Sequence, residues 1–168
     1  DLAAMERESG PVQSLRVGIC GDLTSRCATP LLRLLRRRRP MSLVLYSPPS
    51  RRPADDVIVS TSSFSHVRDG FTPDDVDVLV MVGLAEGHDS SRIDETTRLR
   101  YSLRRAALRV LPDRAIVLSP MPVIDELGDD ARRDPRLRMF EQADYGVFVR
   151  MAVIEEMLEG EEIQDEFR

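Results

Sequence analysis

An unbroken apolar run, Val78-Leu79-Val80-Met81-Val82, constrains the fold of this 168-residue chain more than any other stretch. A strand with one face in water alternates apolar and polar residues, whereas a strand covered on both faces is apolar throughout. Other apolar runs of strand length alternate along the chain with helical or loop segments. The sequence therefore predicts an α/β fold of three layers, with a mostly parallel sheet and helices on both faces.

The remaining elements follow from apolar runs and helix-stop signals. Further strands are predicted at 16–20, 43–46, 57–60 and 115–118. Helices are predicted from Thr29-Pro30, or from nearer Arg26, to about 38, then at about 95–108, near Arg136, and at about 144–158. Residues 1–9 read as a helix stub and 159–168 as a frayed acidic tail. The length suits a single domain, 1–168.

Composition narrows the classes of function. All 24 basic residues are Arg, which excludes a lysine Schiff base and a P-loop lysine. The net charge is −5, and the arginines at 33, 36–39, 51 and 52 have no aromatic residues between them. They are predicted to be a solvated helix end rather than a nucleic-acid site, although a phosphate-binding patch is the alternative. No 18-residue apolar run or signal peptide occurs, so we expect a cytoplasmic protein without membrane contact.

No metal or cofactor is predicted. Cys20 and Cys27 fit neither a disulfide framework nor a zinc pattern. The C-terminal glutamates are predicted to be a solvated acidic end rather than a metal site. A catalytic triad of Ser119, His66 and Asp125 is not favoured, because no nucleophile-elbow glycines flank the serine.

A rigid loop follows the strand predicted at 115–118. Pro120 and Pro122 lack backbone donors, so Ser119-Pro120-Met121-Pro122 cannot continue as a central strand and leaves carbonyls free. Ligands of open parallel sheets bind at the carboxyl ends of the strands. Pro120, Met121 and Pro122 are therefore candidate substrate-binding residues. Taken alone, Pro-x-Pro favours a proline-bounded turn that has no chemistry.

A second candidate is the turn after the first strand, Gly21-Asp22-Leu23-Thr24-Ser25-Arg26. A helix start presents backbone donors to an anion, and a nearby Arg binds a carboxylate through two parallel hydrogen bonds. The alternative is a capped helix with a surface arginine. The turn lacks the G-x-G-x-x-G spacing, which argues against a dinucleotide site.

Together these motifs resemble the aspartate/ornithine carbamoyltransferase family. The resemblance is carried by the Gly-Asp-Leu turn at Gly21, by Pro-x-Pro-x-x-Asp-Glu from Pro120, and by Phe-x-Gln-Ala-x-x-Gly from Phe140 through to Arg150. It covers about residues 1–158 and implies the second, amino-acid-binding domain, with 1–9 as the interdomain helix. By this resemblance Arg26 contacts the α-carboxylate of an amine substrate, and the carbonyls of Pro120 and Met121 orient its amino group.

Three departures from the family pattern affect the substrate. Ser119 stands where the family has His, and Val123 where it has Arg. Gly83 and Ala85 stand where aspartate-specific members carry Arg-x-Gln, whose Arg binds the side-chain carboxylate. The resemblance thus implies a carbamoyl transfer to an amine other than plain aspartate. Arg92, Arg98 and Arg100 remain open as replacements for the missing arginine.

The family's Ser-Thr-Arg-Thr phosphate-binding segment and its catalytic His are absent, so the catalytic residues are unknown and this chain alone is expected to be inactive. A non-catalytic binding or scaffold subunit is the alternative function. Expected partners are a carboxylate-bearing amine, a carbamoyl-phosphate-binding domain or partner chain, and further copies of this chain. The last follows from an apolar surface predicted on the two terminal helices, at Leu2, Met5, Val147, Phe148, Met151 and Leu158.

Overall fold

The computed structural model of the protein describes residues 1–52, 65–68, 70–84 and 93–165. Within these ranges the strands are β1 (Arg16–Gly21), β2 (Ser42–Tyr46), β3 (Ser65–Arg68), β4 (Val78–Val82) and β5 (Ile116–Leu118). They form one sheet in the order β3-β2-β1-β4-β5, and every pairing is parallel. The predicted parallel α/β fold is confirmed.

The helices of the described residues are α1 (Leu2–Ser9), α2 (Ala28–Arg38), α3 (Glu95–Arg100), α4 (Arg105–Val110) and α5 (Met139–Asp165). Short 3-10 turns occupy Val12–Ser14 and Pro49–Arg51. None of these helices combines the length and the apolar character that a membrane crossing requires.

The core lies on both faces of the sheet, as the apolar run in β4 predicts. Alternate residues of the strands enter two separate apolar clusters, and all five residues of β4 are buried. One cluster joins Val17 and Ile19 of β1 to Met5 of α1 and Leu35 of α2. Met5 is fully buried there, so the prediction that it belongs to an exposed apolar surface is wrong. The other joins the opposite face to residues that include Leu108 of α4. The strands are thus held between two layers, which leaves the ends of the sheet as the place for a site.

An ion pair fixes the amino end of the sheet. The Arg16 guanidinium at the start of β1 donates to Asp77 Oδ1 at 2.8 Å, and the Arg16 N–H donates to Oδ2 at 3.0 Å. The side-chain hydrogen bond from Arg16 lowers the pKa of the Asp77 carboxyl below its usual value. This contact sets the register of β1 against β4 at the edge opposite to the candidate loops.

The predicted helix at 95–108 is wrong, because the chain forms two helices there. Between α3 and α4 the backbone leaves the helix so that the Leu103 N–H donates to Glu126 O at 2.7 Å. Gly128 N–H returns a bond to Leu103 O at 2.9 Å, and Leu103 is fully buried. A parallel bridge to Leu127 therefore replaces the helical turn.

The helix predicted near Arg136 is also wrong. The segment makes turns, and Val117 N–H donates to Arg136 O while Arg138 N–H donates to Val117 O, each at 2.8 Å. These bonds extend the sheet edge beside β5 instead of forming a helix. The last helix starts five residues earlier than predicted and continues through most of the tail that was predicted to be frayed. Its glutamate- and methionine-rich sequence favours helix, and it contains no proline.

Two further predictions concern the strand at 57–60 and the start of α2. The strand predicted at 57–60 lies outside the described residues, and β3 at Ser65–Arg68 was not predicted. The helix α2 begins at Ala28, midway between the two predicted starts, and the Ser25 hydroxyl accepts the Ala28 N–H at 3.1 Å.

Candidate functional site

The carboxyl ends of β1 and β4 meet where the strand order reverses. From β1 the chain continues to β2 on one side, whereas β4 lies on the other side of β1. Such a reversal opens a crevice that binds ligands in parallel α/β sheets. Gly21 forms part of its floor with φ +122°, and a Cβ there would lie 1.6 Å from the Val82 carbonyl oxygen. Only glycine fits this approach of the two backbones.

The turn after β1 is organised by the buried side chain of Asp22. Its Oδ1 accepts the Thr24 N–H at 2.9 Å and the Thr24 hydroxyl at 2.6 Å. Arg26 lies exposed on this turn and makes no ion pair with the residues that the structure describes. Its guanidinium is thus open to an anionic ligand beside the start of α2.

A buried arginine supports the same turn, and the sequence did not indicate it. Arg51 is 6% exposed, and its Nε lies 3.8 Å from Asp22 Oδ2. Its carbonyl accepts the Leu23 N–H at 3.1 Å, and the Ser47 hydroxyl donates to Gly21 O at 2.7 Å. The prediction that Arg51 belongs to a solvated patch is therefore wrong. Its place just after Pro48-Pro49, at the carboxyl end of β2, is the signal that could have identified it.

The loop after β5 is braced by three buried polar side chains. The Ser119 N–H donates to Gln142 Oε1 of α5 at 2.9 Å, and its hydroxyl donates to Glu126 Oε1 at 2.7 Å. Glu126 is 3% exposed, and its Oε2 accepts the N–H groups of Ile124 and Asp125 at 2.8 and 3.1 Å. Three donors thus stabilise the Glu126 carboxylate, which joins the start of the loop at Ser119 to its end at Ile124 and Asp125.

Between these braces lie the predicted substrate-binding residues. Pro120 is partly buried, Met121 and Pro122 are exposed, and the peptide bond between Met121 and Pro122 is cis. No described residue donates a hydrogen bond to the Pro120 or Met121 carbonyl, so both oxygens are available acceptors. A cavity of about 320 Å³ is lined by this loop and by Gln142, Gly146 and Arg150 of α5.

The exit of β4 contacts the same loop. A Cβ on Gly83 would lie 2.9 Å from Glu126 Oε2 and 3.2 Å from Asp125 Oδ1. The Leu84 N–H donates to Asp125 Oδ1 at 3.2 Å, and Arg98 Nη1 lies 2.5 Å from Asp125 Oδ2. Among the residues that the structure describes, two carboxylates and one guanidinium therefore lie near the position where the resemblance places an arginine. Ala85 and Arg92 lie outside the described residues.

The predicted site residues share one edge of the sheet but form two groups. Arg26 follows β1 and Pro120 follows β5, with β4 between the two strands. Two strand spacings amount to roughly 10 Å, a gap that a small amine with a carboxylate can bridge. The triad that the sequence did not favour is not formed, since Ser119 donates to Glu126 and Asp125 pairs with Arg98.

The sequence is similar to a known protein family. Residues 13–157 match the family described as aspartate/ornithine carbamoyltransferase, Asp/Orn binding domain. The chain is 30% identical over 171 residues to the aspartate carbamoyltransferase catalytic subunit of Alkaliphilus oremlandii, covering 97% of this chain and 52% of that protein. It is 34% identical over 172 residues to that of Bifidobacterium longum, covering 97% and 53%.

Solved structures agree with the sequence matches. The ligand-free aspartate transcarbamoylase from Trypanosoma cruzi superposes with a TM-score of 0.80 at 26% identity, covering 92% of this chain and 53% of that one. The chain thus spans about half the length of the relatives that it matches.

Proposed function

This chain belongs to the aspartate/ornithine carbamoyltransferase family, and from that membership we propose that it is the amino-acid-binding half of an enzyme that carbamoylates an amine other than plain aspartate. The loop after β5 carries the proposal. Its ends are fixed by buried hydrogen bonds from Ser119, while the Pro120 and Met121 carbonyls remain available as acceptors. A simple turn does not require a buried carboxylate, so the hydrogen bonds to Glu126 support a role for the fixed position of this loop.

The role assigned to these groups is to orient the amine substrate. An amino group that attacks carbamoyl phosphate needs its N–H bonds directed away from the reacting carbon, and two fixed carbonyl oxygens provide that alignment. Arg26 would bind the α-carboxylate of the same molecule through charge-assisted hydrogen bonds. Pro122 would keep the loop rigid. Stabilisation of the tetrahedral intermediate would come from the carbamoyl-phosphate-binding half, which these residues do not include.

The proposed substrate follows from the charges around Gly83. A side-chain carboxylate that loses water without meeting a cation costs several kcal/mol. Among the described residues, the groups that a Cβ on Gly83 would approach are the carboxylates of Asp125 and Glu126, and the Arg98 guanidinium nearby is already paired with Asp125. Val123, where the family has a second arginine, adds no charge. These contacts support an amine that lacks the side-chain carboxylate of aspartate.

A non-catalytic binding or scaffold subunit is the alternative. Ser119 favours it, because the hydroxyl that replaces the family's His donates to Glu126 and takes part in bracing the loop. The coding sequence upstream of Asp1 distinguishes the two functions. A Ser-Thr-Arg-Thr segment there supports the enzyme, and its absence supports the scaffold. A homo-oligomeric state and a cytoplasmic setting stay predictions under either function.

Purified residues 1–168 are expected to form no carbamoyl-aspartate from carbamoyl phosphate and aspartate. The phosphate-binding segment is missing from the sequence, and the position of Gly83 lacks the family's cation. A colorimetric assay for carbamoyl-aspartate tests this, with an intact aspartate carbamoyltransferase as the positive control. Turnover that scales with the amount of this chain and persists after repurification contradicts the prediction.

Replacing Pro120 with alanine is expected to weaken amine binding more than it lowers stability. Proline lowers the conformational entropy of the unfolded chain, so its replacement lowers the unfolding free energy by only about 1 kcal/mol. The loss of a fixed carbonyl geometry should reduce affinity for amino acids several-fold, as measured by NMR titration.

Pro112→Ala is the matched control for this change. Pro112 lies between α4 and β5, at the opposite end of β5 from the loop. Its replacement should cost similar stability and leave amine binding unchanged. A large shift of the urea midpoint for Pro120→Ala, with affinity unaltered, would make the loop structural only.

A further inference from the structure

A cavity of about 320 Å³ lies between the loop after β5 and the first turns of α5, and the residues that line it are all described. That volume falls at the lower end of the range for small-molecule sites in proteins. Gln142 of α5 is 7% exposed and fixes one wall, because its Oε1 accepts the Ser119 N–H at 2.9 Å. The cavity is therefore bounded by a braced loop and one helix, and it has room for a small ligand.

Arg150 is the arginine that lines this cavity. Its Nη1 and Nη2 atoms lie 3.5 and 3.8 Å from the position of a Cβ on Gly146, so the side chain folds back over the preceding turn of α5. Arg150 is exposed and forms no ion pair or hydrogen bond with another described residue. The carboxylate of Asp1 also lines the cavity, but it accepts a hydrogen bond from Gln142 Nε2. The Arg150 guanidinium is thus available to a ligand.

The cavity lies on a different side of α5 from Phe148. Met139, Gln142, Gly146 and Arg150 line the cavity, and their spacing of three or four residues places them on one face of the helix. Phe148 is two residues away from both Gly146 and Arg150, a rotation of roughly 200° about the helix axis. The cavity is therefore separate from the exposed Phe148 side chain.

The other wall of the cavity is the loop. No described residue donates a hydrogen bond to the carbonyl oxygens of Pro120 and Met121, and both residues line the cavity. A carbonyl oxygen requires an N–H or O–H donor, whereas a guanidinium binds the oxygens of a carboxylate or a phosphate through parallel hydrogen bonds. A ligand that satisfies both walls carries N–H donors at one end and an oxyanion at the other.

We propose that Arg150 binds an oxyanion, a carboxylate or a phosphate, on a ligand whose N–H groups donate to the Pro120 and Met121 carbonyls. This inference rests on the proposed function, because it takes the two carbonyls as acceptors for a reactant. It adds a second cation to the site, on another side of the loop. Arg26 follows β1, two strands away from the loop, whereas Arg150 belongs to the helix that contacts β5.

Both reactants of the proposed reaction carry this chemistry. The amine has an amino group and a carboxylate, and carbamoyl phosphate has an NH₂ group and a phosphate. Under the proposed function, Arg26 meets the carboxylate of the amine on the β1 side of the loop. The phosphate is therefore the oxyanion that we expect at Arg150, which would hold the two anionic groups apart.

NMR titration of the 168-residue chain with phosphonoacetamide tests the site, at a low ionic strength that screens an exposed arginine only weakly. Phosphonoacetamide carries a carboxamide NH₂ and a phosphonate, whereas acetamide and methylphosphonate each carry one of the two groups. We expect phosphonoacetamide to bind at least about tenfold more tightly than either fragment, which corresponds to about 1.4 kcal/mol. Its shifts should include the amides of Met121, Gly146 and Arg150. Equal binding of phosphonoacetamide and methylphosphonate would overturn the inference.

Variants assign the binding to Arg150. Arg150→Gln should weaken phosphonoacetamide binding about tenfold and leave the urea midpoint unchanged, because the side chain is exposed. Arg150→Lys keeps the charge without the planar fork, so it should retain part of the affinity. Wild-type affinity in Arg150→Gln, including binding through the amino terminus of the chain instead, contradicts the inference.

Arg109→Gln is the matched control. Arg109 is exposed and forms no ion pair with a described residue, and its helix α4 packs against the opposite face of the sheet. Its replacement should leave phosphonoacetamide binding unchanged. Equal losses in Arg109→Gln and Arg150→Gln would show only a general effect of net charge and would reject the site.

L-alanine, an amine with a carboxylate, distinguishes the two sources of the oxyanion. If Arg150→Gln weakens phosphonoacetamide binding alone, Arg150 binds the phosphate; if it also weakens L-alanine binding, Arg150 meets the carboxylate of the amine as well. L-alanine binding that depends on Arg26, with phosphonoacetamide binding that ignores Arg150, leaves the amino-acid-binding function intact and rejects this inference. Failure of both probes to bind rejects both.

Discussion

Gly21→Ala is expected to lower the unfolding free energy by about 4 kcal/mol, much of the total for a domain of this size. The new Cβ would lie 1.6 Å from the Val82 carbonyl oxygen, so β1 and β4 must separate at the centre of the sheet. The positive φ of +122° adds backbone strain of about 1–3 kcal/mol to an overpacking cost of similar size. Urea unfolding followed by circular dichroism measures the loss.

Gly10→Ala separates the two contributions. Gly10 also has a positive φ, +95°, but a Cβ there would have no neighbour within 4 Å. Its replacement should cost only the strain, about 1–3 kcal/mol. Equal losses for the two variants would show that the contact between β1 and β4 relaxes freely, and that the crevice floor does not require glycine.

Phe148→Glu is expected to weaken self-association of the 168-residue chain by more than tenfold. The helix α5 exposes apolar side chains around much of its surface, and Phe148 is 66% exposed. The others that are at least half exposed are Phe140, Val147, Met151, Val153, Ile154, Met157 and Leu158. Apolar patches larger than a few hundred Å² are rare on monomers and usually mark a contact surface. We therefore expect copies of this chain to pair through α5.

Sedimentation velocity over a range of concentrations measures this association. The charge at position 148 should weaken it by more than tenfold, or about 1.4 kcal/mol. Met41→Glu is the matched control, since Met41 is 60% exposed but precedes β2, away from α5. A wild-type chain that stays monomeric at the highest concentration, with no carbamoyl-phosphate-binding half co-purifying, contradicts the prediction. Unfolding of the Phe148 variant would show instead that this side chain belongs to the domain's own core.

The fold was predictable because its strands are visible in the sequence as apolar runs. An apolar run such as Val78–Val82 requires cover on both faces whatever else the chain does, and the family resemblance carried by Pro120 and Gln142 is confirmed. The break between α3 and α4 was not predictable, because it depends on Leu103 bonding to Glu126 and Gly128, more than twenty residues away. Local helix propensity contains no information about such a contact.

The candidate site was predictable in its loops but not in its charges. Pro120 and Pro122 restrict the backbone by themselves, so the loop after β5 follows from two residues. The burial of Arg51 and the pairing of Arg98 with Asp125 depend instead on which loops meet at the sheet edge. An arginine beside another arginine is usually solvated, so the position of Arg51 just after Pro48-Pro49 gains its meaning only once the tertiary contacts are known.

The helix α5 connects two places that are otherwise separate. Its first turns carry Gln142, which accepts the Ser119 N–H, and its later turns carry the exposed apolar surface around Phe148. A displacement of α5 by a bound partner would therefore reach the loop after β5 through the hydrogen bond between Ser119 and Gln142. Such an effect is reciprocal. Whatever factor a loop ligand applies to the association of the partner half, that half applies to the affinity of the ligand. Amine recognition and assembly would then be a single cooperative equilibrium.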